Sequence, residues 1–174
     1  MSKDGKIGHK GGYTTDKRKR WDSIAREIGK INGSFVKVGH WNGTDKESGT
    51  SLAAIALYNE KGVTWEAAGI TPPEGAGQWF IPPRPAMAQS FDNNVDKYHK
   101  RIAKGQQLIY EGKHTTKGVL TELGIEARSD YMERIVSLKK PANADATIEA
   151  KGSSNPLVDD GDMHRGVLFE VVQR

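Results

Sequence analysis

The stretch WFIPPRPAMAQSFDNNVDKYHKRIAKGQQLIYEG, residues 79–112, decides the reading of the fold because its pattern changes at Pro85. Ahead of that point Pro82, Pro83 and Pro85 hold φ near −65° and push the residues before them into extended or polyproline geometry. Beyond it Met87, Phe91, Val95, Tyr98, Ile102 and Ile109 fit one helical face through about Tyr110. Pro85 suits the first turn of that helix, where a missing N–H costs nothing, and Gly112 ends it. A stiff elbow therefore aims a long helix. Arg84 sits between two prolines, so its guanidinium is presented at low entropic cost, ready for a carboxylate or a neighbouring subunit.

Working outward, a second long helix is predicted over residues 115–138, with Leu120, Leu123, Ala127, Tyr131, Ile135 and Leu138 as its buried stripe. Pro141 blocks its continuation. Residues 144–151 fit two further turns, with Asn143 as N-cap and Gly152 as C-cap. Pro156 to Gly161 form a turn region, in which Asp160-Gly161 reverses the chain and Asp162 caps a single helical turn. Val167–Val172 reads as a strand.

On the other side of the elbow, Leu52–Lys61 is a short apolar helix stopped by Gly62. Residues 63–83 hold both Pro-Pro pairs and little periodicity, with Trp65, Ile70, Trp79, Phe80 and Ile81 as apolar anchors. They read as a long loop or irregular hairpin, and loops of that length tend to be functional or disordered; the aromatics argue against disorder. Residues 41–51, beginning at Trp41, form a polar loop with an Asn-Gly turn signal. Ser34–His40 is a short strand, and Trp21, Ile24, Ile28 and Ile31 mark a helix over about 15–31. Residues 1–14 are Gly- and Lys-rich and read as a mobile basic arm.

The 174 residues fit one domain, here 15–174 behind the arm. Leu, Ile, Val and Phe make up about a fifth of the chain, the level at which a core becomes thin. The net charge of +4 is local: residues 1–20 carry +5, including Lys17, Arg18, Lys19 and Arg20, and leave −1 for the rest. Such a cluster can bind nucleic acid by counterion release, or can simply be solvated. No apolar run approaches a membrane span, and the start of the chain has no secretory h-region. With no cysteine, thiolate metal sites and cysteine nucleophiles are excluded.

Catalytic motifs are missing too. The five histidines (His9, His40, His99, His114, His164) form no His-Glu-x-x-His pattern, and neither a nucleophile elbow nor a phosphate loop is present. His99 and His114 fall on different predicted helices, where exposed polar positions are commoner than a metal site. Asp159, Asp160 and Asp162 could hold a hard cation, but a capped turn accounts for them more plainly. The expectation is therefore no catalytic residue, no metal and no cofactor.

Three stretches in order carry a resemblance: YNEKG (Tyr58–Gly62), IPPRP (Ile81–Pro85) and TIEAKGSSNPLVDDGDM (Thr147–Met163). Over about residues 20–174 the chain resembles the tail-completion, neck or virion-morphogenesis proteins of tailed bacteriophages and prophages. Thr147, Ile148, Lys151, Gly152, Pro156, Leu157, Asp159, Gly161 and Met163 fall on that family's C-terminal pattern. Ala86 stands where Phe is usual after the elbow, Asp160 where Thr is usual, and His164 and Gly166 where Arg and Ser are usual.

The resemblance implies an α+β subunit: a small, mainly antiparallel sheet with long helices packed on one side. It implies a structural virion protein at the head–tail joint, working as a homomeric ring, typically sixfold. Its neighbours would be the head-completion or adaptor ring on the portal and the tail tube or tail terminator, with genome DNA passing through the lumen. No membrane is involved. The expected assembly surfaces are residues 1–20, 41–51 and 63–83, with Lys17, Arg18, Lys19, Arg20, Trp41, Trp65, Trp79 and Arg84 as contact residues. Pro82, Pro83 and Pro85, with Pro156, Asp159 and Gly161, would fix the elbow and turn that present them. A tail terminator or minor tail protein could carry a similar sequence. From a different class, a non-specific DNA-binding protein could use the basic arm.

Overall fold

The computed structural model describes residues 12–46 and 48–173, with the backbone alone for 12–16, 150 and 151. In chain order the elements are α1 (Gly12–Ile31), β1 (Phe35–Gly39), α2 (Leu52–Lys61), β2 (Val63–Thr64), α3 (Trp65–Ala68) and β3 (Trp79–Ile81). Then come α4 (Ala86–Tyr110), α5 (Thr116–Ser137), α6 (Asp145–Lys151), α7 (Asp162–Arg165) and β4 (Leu168–Val172). The expected arm lies outside the described residues over 1–11. Residues 12–14 are not part of an arm: they form the first turn of α1.

The long helices α4 and α5 pack antiparallel across a short turn. Gly112, at φ 68°, makes the turn, and the Thr115 hydroxyl accepts the Gly118 N–H at 3.1 Å to cap α5. Near the turn the helices touch backbone to side chain, since Gly105 leaves no room for a Cβ against Val119. Farther along they are laced by ion pairs, Lys97–Asp130 at 2.6 Å and Arg101–Glu126 at 2.7 Å. These pairs are partly exposed, so each contributes little, on the order of 0.5 kcal/mol.

The far face of α5 lies on a two-stranded antiparallel sheet of β1 and β4, in register from Phe35↔Val172 to Gly39↔Leu168. Gly124 admits the Phe169 ring against the helix. The fold is thus α+β, but its strands form two small sheets rather than one. Val63↔Ile81 and Thr64↔Trp79 pair separately, with a register shift between them. The chain leaves the body at Gly62 and returns at Pro82, so β2 and β3 have only each other to pair with. Gly62 is required here: at φ 76°, a Cβ would stand 2.9 Å from both Pro83 and Trp79.

The core joins Ala56 of α2, Ala86 of α4 and Tyr131 and Ile135 of α5 to Leu138, Leu157, Met163 and Val167. The predicted stripes are partly displaced. On α4, Tyr98 and Ile109 are buried as expected, beside Ala86, Ser90 and Gly105, but Met87 and Phe91 face outward. On α5, Tyr131 and Ile135 are buried, whereas Leu120, Leu123 and Ala127 are half-buried beside Val119 and Gly124. That helix is covered on two sides, by α4 and by the sheet, so a single stripe does not describe it.

Two capping assignments also change. Ala144, not Asn143, occupies the N-cap of α6, because the Asn143 side chain is engaged by Arg84. Gly161, not Asp162, occupies the cap of α7; Asp160 accepts the Asp162 N–H at 2.9 Å instead. Pro85 sits at the N-cap of α4 rather than within its first turn, and offers no side-chain cap. Glu60 of α2 supplies that function, its carboxylate accepting the Met87 and Ala88 N–H groups at 3.0 and 2.8 Å. A carboxylate there satisfies orphan donors and complements the helix dipole.

Candidate assembly surfaces

The elbow Pro82–Pro85 is where the motif residues meet. The Arg84 N–H donates to the Asn59 carbonyl at 2.5 Å, beside the Glu60 cap of α4. Arg84 itself is only 6% exposed. Its Nε donates to the Pro141 carbonyl at 2.9 Å, and its Nη2 to the Ala142 carbonyl and Asn143 Oδ1 at 3.2 and 3.1 Å. Rigid presentation to a neighbour is therefore corrected: two prolines aim the guanidinium inward, at carbonyls of its own chain. Of the turn residues, Pro156 is buried beside Leu157, Asp159 is exposed, and Gly161 is left-handed at φ 88°.

Beyond the elbow, β2, α3 and β3 pack chiefly on one another. Trp65 is half-buried; its Nε1 donates to the Gly77 carbonyl at 2.9 Å, and its ring lies 5.1 Å from Phe80. Thr64 caps α3 by accepting the Ala67 N–H at 3.1 Å. Every residue from Gly69 to Phe80 is exposed, including Ile70, Trp79 and Phe80. Residues 63–83 carry Glu66 and Glu74 and no basic residue. The structure thus brings Trp65 and Trp79 together on one excursion.

The basic cluster is on a separate element. Lys17, Arg18, Lys19 and Arg20 are exposed on α1, and Trp21 beside them is 68% exposed. The helix is held to the body from Arg20 onward. The Arg20 Nη2 donates to the Glu111 carbonyl at 2.8 Å, Ile24 is buried, and the Thr116 N–H donates to the Glu27 carboxylate at 2.8 Å. Lys30 and that hydrogen bond hold the Glu27 carboxyl below its ordinary range. Trp41 is exposed in the loop after β1, away from both clusters in sequence.

That loop closes over an acidic recess of about 210 Å³ bounded by Asp45, Leu52, Pro156 and Asp162. Carboxylate oxygens of Asp45, Asp160 and Asp162 lie within 4.8 Å of one another. Asp45 accepts the Ser48 N–H and hydroxyl, both at 2.7 Å, and Asp162 accepts from Arg165 at 2.7 Å. Arg165, which bonds the Asp162 carboxylate, holds that group below its ordinary range. The sequence reading grouped Asp159 with Asp160 and Asp162; Asp45 takes its place, carried in by a loop more than a hundred residues away.

His40, at the end of β1, carries no sequence signal that sets it apart from the other four histidines. It is 9% exposed and edge-on to Tyr131, with its Nε2 2.7 Å from the Met163 carbonyl. That geometry makes Nε2 the donor and leaves Nδ1, which has no partner, as a buried lone pair. Burial pushes the imidazole pKa down. The folded protein then resists a proton that the unfolded chain accepts near pH 6.5. Stability should be full above that pH and fall as the pH drops toward the lower folded value. The slope for one proton is at most about 1.4 kcal/mol per pH unit. Urea titrations of the wild type and His40→Gln between pH 7.5 and 5 check this; equal slopes in the two proteins would exclude His40 as the source.

Among the described residues, then, the fold defines a small α+β chain with exposed large apolar groups on α1 and the 63–81 excursion as well as on the outer faces of α2, α4 and α5. Compared with known proteins, it matches no protein-family model, no curated protein and no solved structure.

Proposed function

We propose that the chain is a structural virion protein of a tailed phage or prophage, part of the neck or tail-completion ring that joins the DNA-filled head to the tail. Its work is mechanical adaptation rather than catalysis. The observation that carries an assembly role is the run of exposed residues 69–80 on an excursion that packs mainly on itself. Large exposed apolar groups there are best explained by a partner that covers them. The station in the virion rests on the resemblance of the Tyr58–Gly62, Ile81–Pro85 and Thr147–Met163 stretches. The partners would be further copies of the chain, a portal-bound adaptor and the tail tube or terminator.

Electron microscopy of lysates from the source phage with this gene deleted tests the reading. DNA-filled heads beside separate, complete tails are expected. Normal infectious particles would remove an essential virion role. Filled heads with absent or overlong tails would move the protein to tail termination or tail assembly.

One observation favours a second reading, non-specific DNA binding: Lys17 to Arg20 are exposed next to Trp21. Its mark would be salt-sensitive affinity for duplex DNA that disappears on removal of residues 1–20.

A further inference from the structure

The two projecting elements differ in charge and sit at opposite ends of the helix pair. Helix α1 crosses the turn between α4 and α5, through Arg20 to Glu111 and Glu27 to Thr116. The 63–81 excursion enters α4 at its other end, at Ala86. The 25 residues of α4 hold these ends roughly 37 Å apart. The two elements are therefore anchored at opposite ends of α4.

Their surfaces are complementary. The exposed part of α1 offers Lys17, Arg18 and Lys19 beside Trp21, and no described side chain pairs with those three bases. The excursion offers Glu66 and Glu74 beside Ile70 and Trp79, with no base between Gly62 and Pro83. We propose that the α1 helix of one copy docks on the 63–81 excursion of the next copy. The partner of each surface is thus a second copy of this chain, in a head-to-tail contact. Such a contact uses two different patches, one at each end of the subunit, so it propagates and closes when the rotation allows, as a ring requires. Opposite charges orient the approach and the aromatic groups supply buried area. The inference rests on the self-assembly part of the proposed function and not on a place in the virion.

The absence of cysteine gives a direct test. Full-length chains carrying Lys17→Cys are mixed with chains carrying Glu74→Cys and treated with a short bismaleimide. Cross-links between the two kinds are expected to exceed cross-links within either kind by about tenfold. In unlabelled protein, Lys17→Glu/Lys19→Glu is expected to weaken self-association about tenfold, and adding Glu66→Lys/Glu74→Lys to restore it. All four side chains are exposed, so unchanged melting temperatures are expected in every variant.

Equal yields of like and unlike cross-links in an oligomer would overturn the pairing and leave self-assembly standing. A chain that stays monomeric at millimolar concentration would overturn both. If Lys17→Glu/Lys19→Glu loses affinity for duplex DNA while self-association is unchanged, α1 belongs to nucleic acid and the pairing fails. A dispensable gene with intact cross-linking would remove only the virion reading.

Discussion

Replacing Arg84 by alanine should lower the stability of the protein by about 3 kcal/mol, one of the two largest effects foreseen for a single residue. The guanidinium is buried, and it serves two carbonyls and one amide oxygen in residues 141–143. Hydrogen bonds to a charged group contribute roughly 1.5–3 kcal/mol each, and acceptors left behind without a donor cost more than the bond was worth. Arg84→Met fills the space but leaves the same acceptors, so it should recover little. Arg84→Lys keeps the charge and loses the planar fork, and should recover less than half. For a chain of this size, the loss in alanine corresponds to a melting point about 6–12 °C lower by circular dichroism. A shift of under about 2 °C would mean that water satisfies the 141–143 corner and that Arg84 is not what fastens it.

The second large effect lies at Gly105. Its would-be Cβ overlaps the Val119 side chain, which is itself buried. Gly105→Ala gains about 1 kcal/mol of helix propensity but forces α4 and α5 apart, and overpacking costs roughly 1–3 kcal/mol. A net loss of up to about 2 kcal/mol is expected, and a larger one for Gly105→Leu, whose added atoms meet the same buried valine. The decisive measurement is the cycle with Val119→Ala. Trimming the valine should relieve the alanine, so Gly105→Ala/Val119→Ala should be more stable than the sum of the single losses by about 1 kcal/mol or more. Additivity would show that the helices adjust freely and that the glycine has no packing role.

The sequence made the helices legible because their signals are local. Pro85, Gly112 and Pro141 bracket two long apolar periodicities, and Gly62 stops a third; each acts on its own turn of chain. The two short strands of the main sheet were legible from Phe35 and Val36 and from Leu168 and Phe169, with their β-forming side chains. What stayed hidden depends on residues far apart in sequence. Nothing near Glu60 says that its carboxylate caps a helix beginning at Ala86. Nothing near Arg84 says that its acceptors come from residues 141–143, so the two flanking prolines suggested display where they produce burial. Met87 and Phe91 kept helical spacing with the buried positions of α4 yet face outward, because which part of a broad stripe is covered depends on where α5 lies. The acidic recess was hidden for the same reason: Asp45 reaches Asp160 and Asp162 only after a loop closes. The exposed basic residues, by contrast, were readable from charge alone. The prolines marked 63–83 as irregular chain, but Trp79 and Phe80, which read as buried apolar anchors, stand exposed because β2 and β3 pair only with each other.

The joint between α2 and α4 also decides how the molecule carries force. A pull on residues 63–81 enters the body through Gly62 and Pro83 and meets α4 at its first residue. From there it divides. One branch runs along α4, where packed side chains and ion pairs shared with α5 lie side by side and must slide together. The other passes through the Arg84 side chain into the 141–143 corner. The other end of the excursion continues through Gly62 and α2 to the 40–51 segment, and only beyond it to the β1–β4 ladder. A tug on the excursion therefore loads the buried guanidinium and the α4–α5 seam ahead of that ladder.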